Sequence, residues 1–488
     1  MSSAPTTSTT AAAAPLSPAE INRWPRQIKF IIGNEACERF SYYGMVGILA
    51  GYVSGDIAKG ALGKTEDYAT IVSHTFKSVN YFTPLLGAWL SDKVIGRYNT
   101  IFWVSLLYCL GHGTLACSDF FSPQGKLMCL YIGLTLIAFG SGGIKPCVSA
   151  FMGEQFRPEQ SHLMQRAYAA FYFAINFGSM FSFIVIPWMR DHHGYSWAFG
   201  VPGIFMAIAT FIFWLGRKYY VIVPTQKERT HAGFFRVLGT AIASGRGLGK
   251  KFWSAAEEKY SATDVSAARS VLPILFVFAS IPMFWALYDQ TNSTWVLQAN
   301  KMDPVNVLGL KVDGEKMQSL NAFLILIFAP LFTWVFYPRM GRFASPLKRM
   351  SYGLFLAAAS FVSIALLQKQ LDAGAHLNVL SQVWAYVLVT AAEVLVSTTG
   401  LEFAFREAAP TMKSTIMSFW LLTVAFGNLL VAVLTEWLAP KGGANAEAAS
   451  VSYDRFMLYA GMMAATAVVF SLIAATYKYR DKAAAMGR

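Results

Sequence analysis

Three charged residues lie close together in a segment that is otherwise apolar. "FIIG" precedes the stretch "NEACERFSYYG", and "MVGILAGYV" follows it. On a helix of 3.6 residues per turn, Glu35, Glu38 and Arg39 share one face with Tyr42 and Tyr43. One charge at the centre of a bilayer costs about 2.5–3.5 kcal/mol on insertion scales. We therefore expect this face to meet a polar interior and to be paired there, with Glu35 placed four residues before Arg39 in the favourable order.

Two acids and one arginine leave one acid without a partner on this helix. We predict that Lys145, in "GSGGIKPCVSAF", is the second cation, because the small residues before it let its helix approach a neighbour closely. The alternative is that Lys145 extends to the cytoplasmic interface, as long basic side chains near helix ends do. Residue types alone leave both readings open.

Further polar and aromatic residues interrupt other apolar segments. A lone Asn in such a segment most often joins two helices, and a lone His is most often structural, whereas Glu393 in "TAAEVLVS" has apolar flanks that make a functional role the better reading. Glu402 suits either a gate or a pair with Arg406. The residues are His74, Lys77, Tyr81, Asn176, Asp289, Gln290, Asn321, Glu393, Glu402 and Trp420. Acids, cations, amides and phenols in one cavity suit a zwitterion, and carboxylates beside cations suit proton coupling.

The composition indicates a helical membrane protein that crosses the bilayer many times. Of 488 residues, 55% are hydrophobic and 14% are charged, whereas about a quarter is charged in a soluble domain. Apolar runs of about 20 residues favour helices over the short alternating strands of a barrel. The net charge of +13 is interpreted as an orientation signal and not as a nucleic-acid surface. The spacing of the five cysteines indicates neither disulfides nor a metal site, and no cofactor is expected.

We predict twelve spans in two six-helix bundles, with both termini cytoplasmic because the basic loops alternate. The domain boundaries are a disordered tail over 1–25, a first bundle over 26–220, a cytoplasmic linker over 221–269, a second bundle over 270–480 and a tail over 481–488. An amphipathic linker helix is expected around Gly233 to Ala243, with Phe234, Phe235 and Leu238 on the membrane surface. The predicted spans are 28–53, 68–91, 99–118, 126–150, 165–188, 197–220, 270–297, 318–338, 347–368, 381–406, 412–438 and 453–478.

Five motifs in order resemble one known family. "EACERFSYYG", "LLGAWLSDKVIGRYNTI", "GSGGIKPCVSAF", "FYFAINFGS" and "FWALYDQTNSTWVLQA" are similar to blocks of the proton-dependent oligopeptide transporters of the major facilitator superfamily. The resemblance implies an all-α fold of twelve transmembrane helices. It also implies a proton-coupled symporter of di- and tripeptides in the cell membrane, working by alternating access as a monomer and not as an enzyme. Asp289 and the His74 before "TF" look similar to the animal branch of the family.

The alternative functions that stay open are a symporter of another small anionic or zwitterionic solute, such as nitrate or an amino-acid conjugate, a receptor without transport, and an intramembrane enzyme.

The resemblance also assigns roles to residues, position by position. Asp289 is expected to pair with Arg39 when the outer gate closes, although Asp is one methylene shorter than the Glu of many bacterial members. The implied roles are proton coupling by Glu35, Glu38, Arg39, Lys145 and His74; binding of the peptide carboxylate by Arg39, Lys145 and Tyr43; binding of the peptide amino terminus by Asn176, Asn321 and Glu393; side-chain pockets at Tyr81 and Trp420; and gating by Asp289 and Glu402.

Overall fold

Helices form most of the protein. The computed structural model describes residues 17–225, 232–244, 252–439 and 450–479. The α-helices are α1 Pro18–Ile21, α2 Ile28–Ser54, α3 Glu66–Phe82, α4 Pro84–Trp89, α5 Arg97–Ala116, α6 Pro123–Gly153, α7 Ser161–Leu215, α8 Phe234–Ala243, α9 Ser254–Lys259, α10 Ala262–Phe278, α11 Ile281–Tyr288, α12 Thr294–Ala299, α13 Gln318–Leu331, α14 Tyr337–Met340, α15 Pro346–Asp372, α16 Val383–Glu393, α17 Thr399–Glu407, α18 Lys413–Leu438 and α19 Tyr453–Thr476.

Shorter elements join or interrupt these helices. A β-hairpin of β1 Val305–Val307 and β2 Leu310–Val312 lies between α12 and α13 and is a small departure from the all-α prediction. Its turn uses Leu308 and Gly309, both with positive φ. The π-helical segments among the described residues are Leu90–Val94, Phe332–Phe336 and Val394–Thr398. The 3₁₀ segments are Ile57–Lys59, Cys117–Phe120, Pro158–Gln160, Gly216–Lys218, Asp289–Asn292, Gly341–Phe343, Val379–Gln382 and Pro410–Met412.

In the part of the chain that the structure describes, eight helical segments are long and apolar enough to cross a membrane, or nine if the bent pair Ala262–Phe278 and Ile281–Ala299 is one span. One of the eight, Pro158–Lys218, contains two of the predicted spans, because Gly194 breaks α7 with a φ of 80°. The helix α2 is not among the eight, since Glu35, Glu38 and Arg39 lie within it. Many apolar helices are therefore present, and the count of twelve stays a prediction.

The packing places the charged face of α2 inside the protein. Within the first half, α2 lies along α7 and α5 packs on α6, and within the second half α15 packs on α19. Two further contacts join the halves, α3 with α18 and α7 with α13. The terminal side is the side where α2 begins and α7 ends, because Phe30 stacks on Tyr219 there with ring centroids 6.0 Å apart. The far side is where α2 ends.

Two expectations for the flanking segments are corrected by the structure. The tail predicted to be disordered up to residue 25 contains α1, which Ser17 and Glu20 cap reciprocally, and Gln160 donates hydrogen bonds to the carbonyls of Glu20 and Arg23. The linker helix exists as α8, but Phe234 is buried against Phe419 while Phe235 is exposed. Residues 1–16 and 481–488 lie outside the described residues.

A close approach between α2 and α7 gives a prediction about stability. A Cβ atom added at Gly178 would lie 2.5 Å from the carbonyl oxygen of Ala36, whereas one added at Gly113 would have no atom within 4 Å. We expect Gly178→Ala to lower the free energy of unfolding by about 1–3 kcal/mol, the usual range for overpacking. Gly113→Ala should be neutral or slightly stabilising. Thermal unfolding in detergent measures both, and equal midpoints would contradict the close approach.

Candidate functional site

Arg39 holds both acids of its own helix. Its Nε lies 2.8 Å from Oε1 of Glu35 and 2.6 Å from Oε2 of Glu38. Ser141 of α6 also donates a hydrogen bond of 3.5 Å to Glu38. All three charged side chains are buried. The sequence prediction that this face turns inward and is paired agrees with the structure, because one guanidinium can serve two carboxylates.

The predicted pair between Lys145 and the second acid of α2 is wrong in this structure. The Nζ of Lys145 is buried and has no hydrogen-bond partner among the described residues. It stands 4.3 Å from the ring centroid of Tyr42 and 4.2 Å from that of Tyr81, which is a cation–π arrangement. The physical reason is that Arg39 already contacts both acids. Lys145 is therefore a buried ammonium whose donors are available to an anionic group.

Glu393 in the second half is the candidate site for a cationic group, as Lys145 in the first half is for an anionic group. Its Oε2 accepts a hydrogen bond of 3.0 Å from Nδ2 of Asn321, and the Oδ1 of Asn321 accepts one of 3.2 Å from the hydroxyl of Tyr288. No described cation forms an ion pair with Glu393. The π-helical segment Val394–Thr398 begins directly after it, a backbone irregularity that is frequent at functional sites. This carboxylate can accept an ammonium group.

Tyr43 follows Arg39 by about one helical turn on α2. Its ring packs edge to face on Tyr42 and on Phe183, with ring centroids 5.3 Å and 5.8 Å apart. That the charged groups of α2, α6 and the second half share one central region stays a prediction.

Two of the predicted binding residues, Asn176 and Trp420, contact other parts of the protein. Asn176 is buried and its Nδ2 donates to the carbonyl of Tyr172 on its own helix. The indole of Trp420 packs edge to face on Phe278, with centroids 5.2 Å apart, and fills the space beside Gly400. Both side chains are buried, and their role in substrate binding stays a prediction.

Asp289 does not pair with Arg39, which corrects the second predicted ion pair. Its Oδ1 lies 2.7 Å from Nζ of Lys77 on α3, and both side chains are buried. Arg39 is already neutralised by two acids, whereas Lys77 has no acid on its own helix face. The shorter Asp side chain therefore pairs with a lysine of the neighbouring half. Lys77 is polar in an apolar segment, but its residue type alone did not predict this role.

His74 is held from two sides in the same region. Its Nδ1 donates to Oδ1 of Asn428 at 2.8 Å, and its Nε2 lies 2.8 Å from the hydroxyl of Ser293. Nδ2 of Asn428 donates to Oδ2 of Asp289 at 2.6 Å. Asn428 thus connects the imidazole to the carboxylate that Lys77 pairs with. The sequence reasoning missed Asn428, although an amide inside "VAFGNLLVAV" was the available signal.

The same network continues across the halves. Lys77 donates to Oδ1 of Asn292 at 2.7 Å, and Nδ2 of Asn292 donates to Oε1 of Gln318 at 2.6 Å. Gln318 donates to the carbonyl of Gly47 on α2 at 3.0 Å. Ion pairs near the loops add to it, since Arg190 pairs with Glu315 and Lys301 lies 2.9 Å from Glu66. The ion pairs that join the halves among the described residues lie towards the far side.

Glu402 forms ion pairs within the second half. It lies 3.2 Å from Arg349 and 3.3 Å from Arg406. The i,i+4 pair with Arg406 is the second of the two readings that the sequence allowed. Its location in α17 separates it from the network around Asp289.

Glu315 gives the far side a dependence on pH. Burial raises its pKa to about 7, in spite of the attraction from Arg190. The raised pKa belongs to the arrangement seen here, in which ion pairs join the halves on the far side. This carboxyl therefore favours that arrangement fully below its ordinary pKa, and the preference is lost as the pH rises through about 7. We expect the far side to open more between pH 5 and pH 8, and we expect Glu315→Gln to remove this part of the response.

Spin labels on Phe120→Cys and Leu308→Cys, both exposed and on opposite halves, would report the opening as a distance distribution. The native cysteines are first replaced in the protein that carries these two labels, so that only the two introduced cysteines react. Glu159→Gln, an exposed residue on the terminal side, is the matched control and should keep the wild-type response. An unchanged pH response in Glu315→Gln would contradict the role of this carboxyl.

Comparison with known proteins decides the family. The model of the POT family matches residues 98–446 of this chain. The chain belongs to the POT family. A POT family member described as an auto-inhibited peptide transporter is 35% identical, with a TM-score of 0.83 over 94% of this chain and 98% of that chain. The POT family transporter PepTSo is 37% identical, with a TM-score of 0.83 over 94% of this chain and 99% of that chain.

Curated relatives agree with this placement. Solute carrier family 15 member 2 of Mus musculus is 38% identical over 380 residues, which is 74% of this chain and 51% of the relative. Peptide transporter family 1 of Drosophila melanogaster is 38% identical over 372 residues, 72% of this chain and 49% of the relative. The chain thus spans about half the length of these curated relatives. Its family and its many apolar helices make it a multi-pass membrane protein.

Proposed function

We propose that this protein is a proton-coupled symporter that imports di- and tripeptides by alternating access. The observation that carries the proposal is a pair of buried groups that other described residues leave unmatched: in the first half the Nζ of Lys145 has no hydrogen-bond partner among them, and in the second half Glu393 has no ion-pair partner among them. A zwitterion that bridges them satisfies both. The names of the relatives as peptide transporters support peptides as that zwitterion.

The substrate contacts follow from the same two groups. In the proposed complex the peptide carboxylate is bound by Lys145 with Arg39 and Tyr43, and the peptide amine by Glu393 with Asn321 and Asn176. Tyr81 and Trp420 contribute to the side-chain pockets. A ligand shifts a conformational equilibrium only through a difference in affinity for its states. Because its two ends bind opposite halves, the peptide favours the state in which the halves are close.

The proposed proton carriers are the carboxyls paired with Arg39. Protonation of Glu35 or Glu38 removes one of the two negative charges that neutralise the guanidinium, and this frees Arg39 to attract a substrate carboxylate. Loss of the proton restores the paired state and resets the carrier. His74, bonded to Ser293 and through Asn428 to Asp289, is the second proposed proton site.

Gating is proposed to depend on the two ends of the bundles. On the far side, breaking the Lys77–Asp289 pair separates α3 from the second half. On the other side, Glu402 with Arg349 and Arg406 is the proposed counterpart. We further propose that the protein crosses the cell membrane with twelve helices and works as a monomer. Both termini are proposed to lie in the cytoplasm, so that the terminal side is the cytoplasmic side.

The direct test is uptake of a labelled dipeptide into proteoliposomes under an imposed inward proton gradient. We expect uptake that requires the gradient and that unlabelled di- and tripeptides inhibit, while tetrapeptides, nitrate and free amino acids do not. Uptake that nitrate or an amino-acid conjugate inhibits, and that peptides do not inhibit, would show that the substrate is that other solute and not a peptide. Binding without gradient-dependent flux for every peptide would reject symport.

A further inference from the structure

A basic cavity lies on the terminal side, away from the central region. It has a volume of about 490 Å³ and lies where α2 begins and α7 ends. Among the described residues, its lining combines three cations with aromatic and apolar side chains and contains no acid. The lining residues are Arg23, Trp24, Pro25, Arg26, Ile28, Lys29, Phe30 and Tyr219.

The three cations of this cavity, Arg23, Arg26 and Lys29, are exposed to solvent. None of them forms an ion pair with a described residue. Lys29 stands 5.1 Å from the ring centroid of Phe30. Glu20 is the acid that acts on Arg26, and its carboxylate already accepts hydrogen bonds from the backbone and the hydroxyl of Ser17. The positive charge of the cavity is therefore available to an external anion.

The surroundings of the cavity match a membrane interface. Trp24 and Tyr219 are exposed, and these residue types concentrate where lipid headgroups meet hydrocarbon. Arg217 and Lys218 follow the apolar end of α7 and add two exposed cations next to Tyr219. Phe30, which is partly exposed, lies at the start of the apolar part of α2. An occupant with a phosphate at one end and an acyl chain at the other fits this order of groups.

We propose that this cavity binds the headgroup of an anionic phospholipid from the leaflet on the terminal side. Guanidinium groups form bidentate hydrogen bonds to phosphate oxygens. The net positive charge of the cavity favours a headgroup with a net negative charge over a zwitterionic headgroup, in which a cation of the lipid itself balances the phosphodiester. The cavity is lined by residues at the beginning of α2 and at the end of α7. A bound lipid therefore contacts both helices and stabilises their packing against each other. The proposal goes beyond peptide transport and does not depend on it.

The experiment measures thermal unfolding of the purified protein in neutral nanodiscs with increasing phosphatidylglycerol. The variant is Arg23→Gln/Arg26→Gln/Lys29→Gln, and the charge-matched control is Arg236→Gln/Arg339→Gln/Lys413→Gln. We expect a saturable rise in the unfolding midpoint for the wild type and the control. The half-saturating lipid fraction should increase about tenfold or more in the variant, since each juxtamembrane cation contributes several-fold.

Equal responses of the variant and the control would overturn the proposal, because only the total charge would then matter. Soluble glycerol phosphate or inorganic phosphate that reproduces the stabilisation at the same concentration would also overturn it, since a lipid would not be required. A measurement on the wild type alone provides an independent check. Native mass spectrometry from mixed micelles should retain phosphatidylglycerol in preference to phosphatidylcholine, and equal retention would contradict the site.

Discussion

Lys77→Ala should lower the free energy of unfolding by about 3–5 kcal/mol, because it leaves Asp289 buried without its cation. Asp289→Ala should be similarly costly, since it leaves the lysine unpaired. The double variant Lys77→Ala/Asp289→Ala should cost clearly less than the sum of the two single changes. Chemical denaturation followed by a double-mutant cycle measures this coupling.

Lys126 offers a matched control for this cycle. It lies 2.7 Å from Asp119, the same separation as in the buried pair, but both side chains are partly exposed. Solvent screens such pairs, and their loss usually costs about 0–1 kcal/mol. Coupling between Lys77 and Asp289 no larger than that between Lys126 and Asp119 would show that the pair does not hold the halves together.

Glu393→Gln should remove the preference of the protein for a free amino terminus. A hydrogen bond to a charged group is worth about 1.5–3 kcal/mol, which corresponds to about 10–100-fold in affinity. The wild type should therefore bind a dipeptide about 10–100-fold more tightly than its N-acetylated form, and the variant should bind the two nearly equally. Competition against a labelled dipeptide gives this ratio for each protein.

Glu402→Gln is the control for the amine assignment. Glu402 is an acid of the same half, but it is already paired with Arg349 and Arg406. Its loss should change the affinity for both ligands together and leave their ratio as in the wild type. A Glu393→Gln protein that still prefers the free amine as strongly as the wild type would place the amine elsewhere.

The sequence predicted those features that depend on the cost of charge in an apolar segment. Glu35, Glu38 and Arg39 could only be tolerated on an inward face, and the structure buries all three. The linker helix α8 was predictable for a similar reason, since its apolar residues recur on one face. Both inferences need only the period of one helix and the cost of placing polar groups in lipid.

The partners of the charged groups could not be predicted in the same way. Which cation reaches Asp289 depends on how α3 packs against the second half, and that distance is a product of tertiary packing. Lys145 was assigned to an acid by counting charges, whereas the structure places it over Tyr42 and Tyr81. Asn428 was overlooked because an isolated amide in an apolar helix usually joins two helices, and only coordinates show it bonded to His74 and Asp289.

The central claim is that the carboxyls paired with Arg39 couple proton movement to peptide movement. The measurement that tests it most directly compares two modes of transport in proteoliposomes that contain Glu35→Gln or Glu38→Gln. One mode is uphill accumulation of a labelled dipeptide driven by a proton gradient, and the other is exchange of labelled for unlabelled dipeptide without a gradient. We predict that at least one of the two variants loses uphill accumulation and keeps exchange. If both variants accumulate the peptide uphill as the wild type does, these carboxyls do not carry the coupling proton.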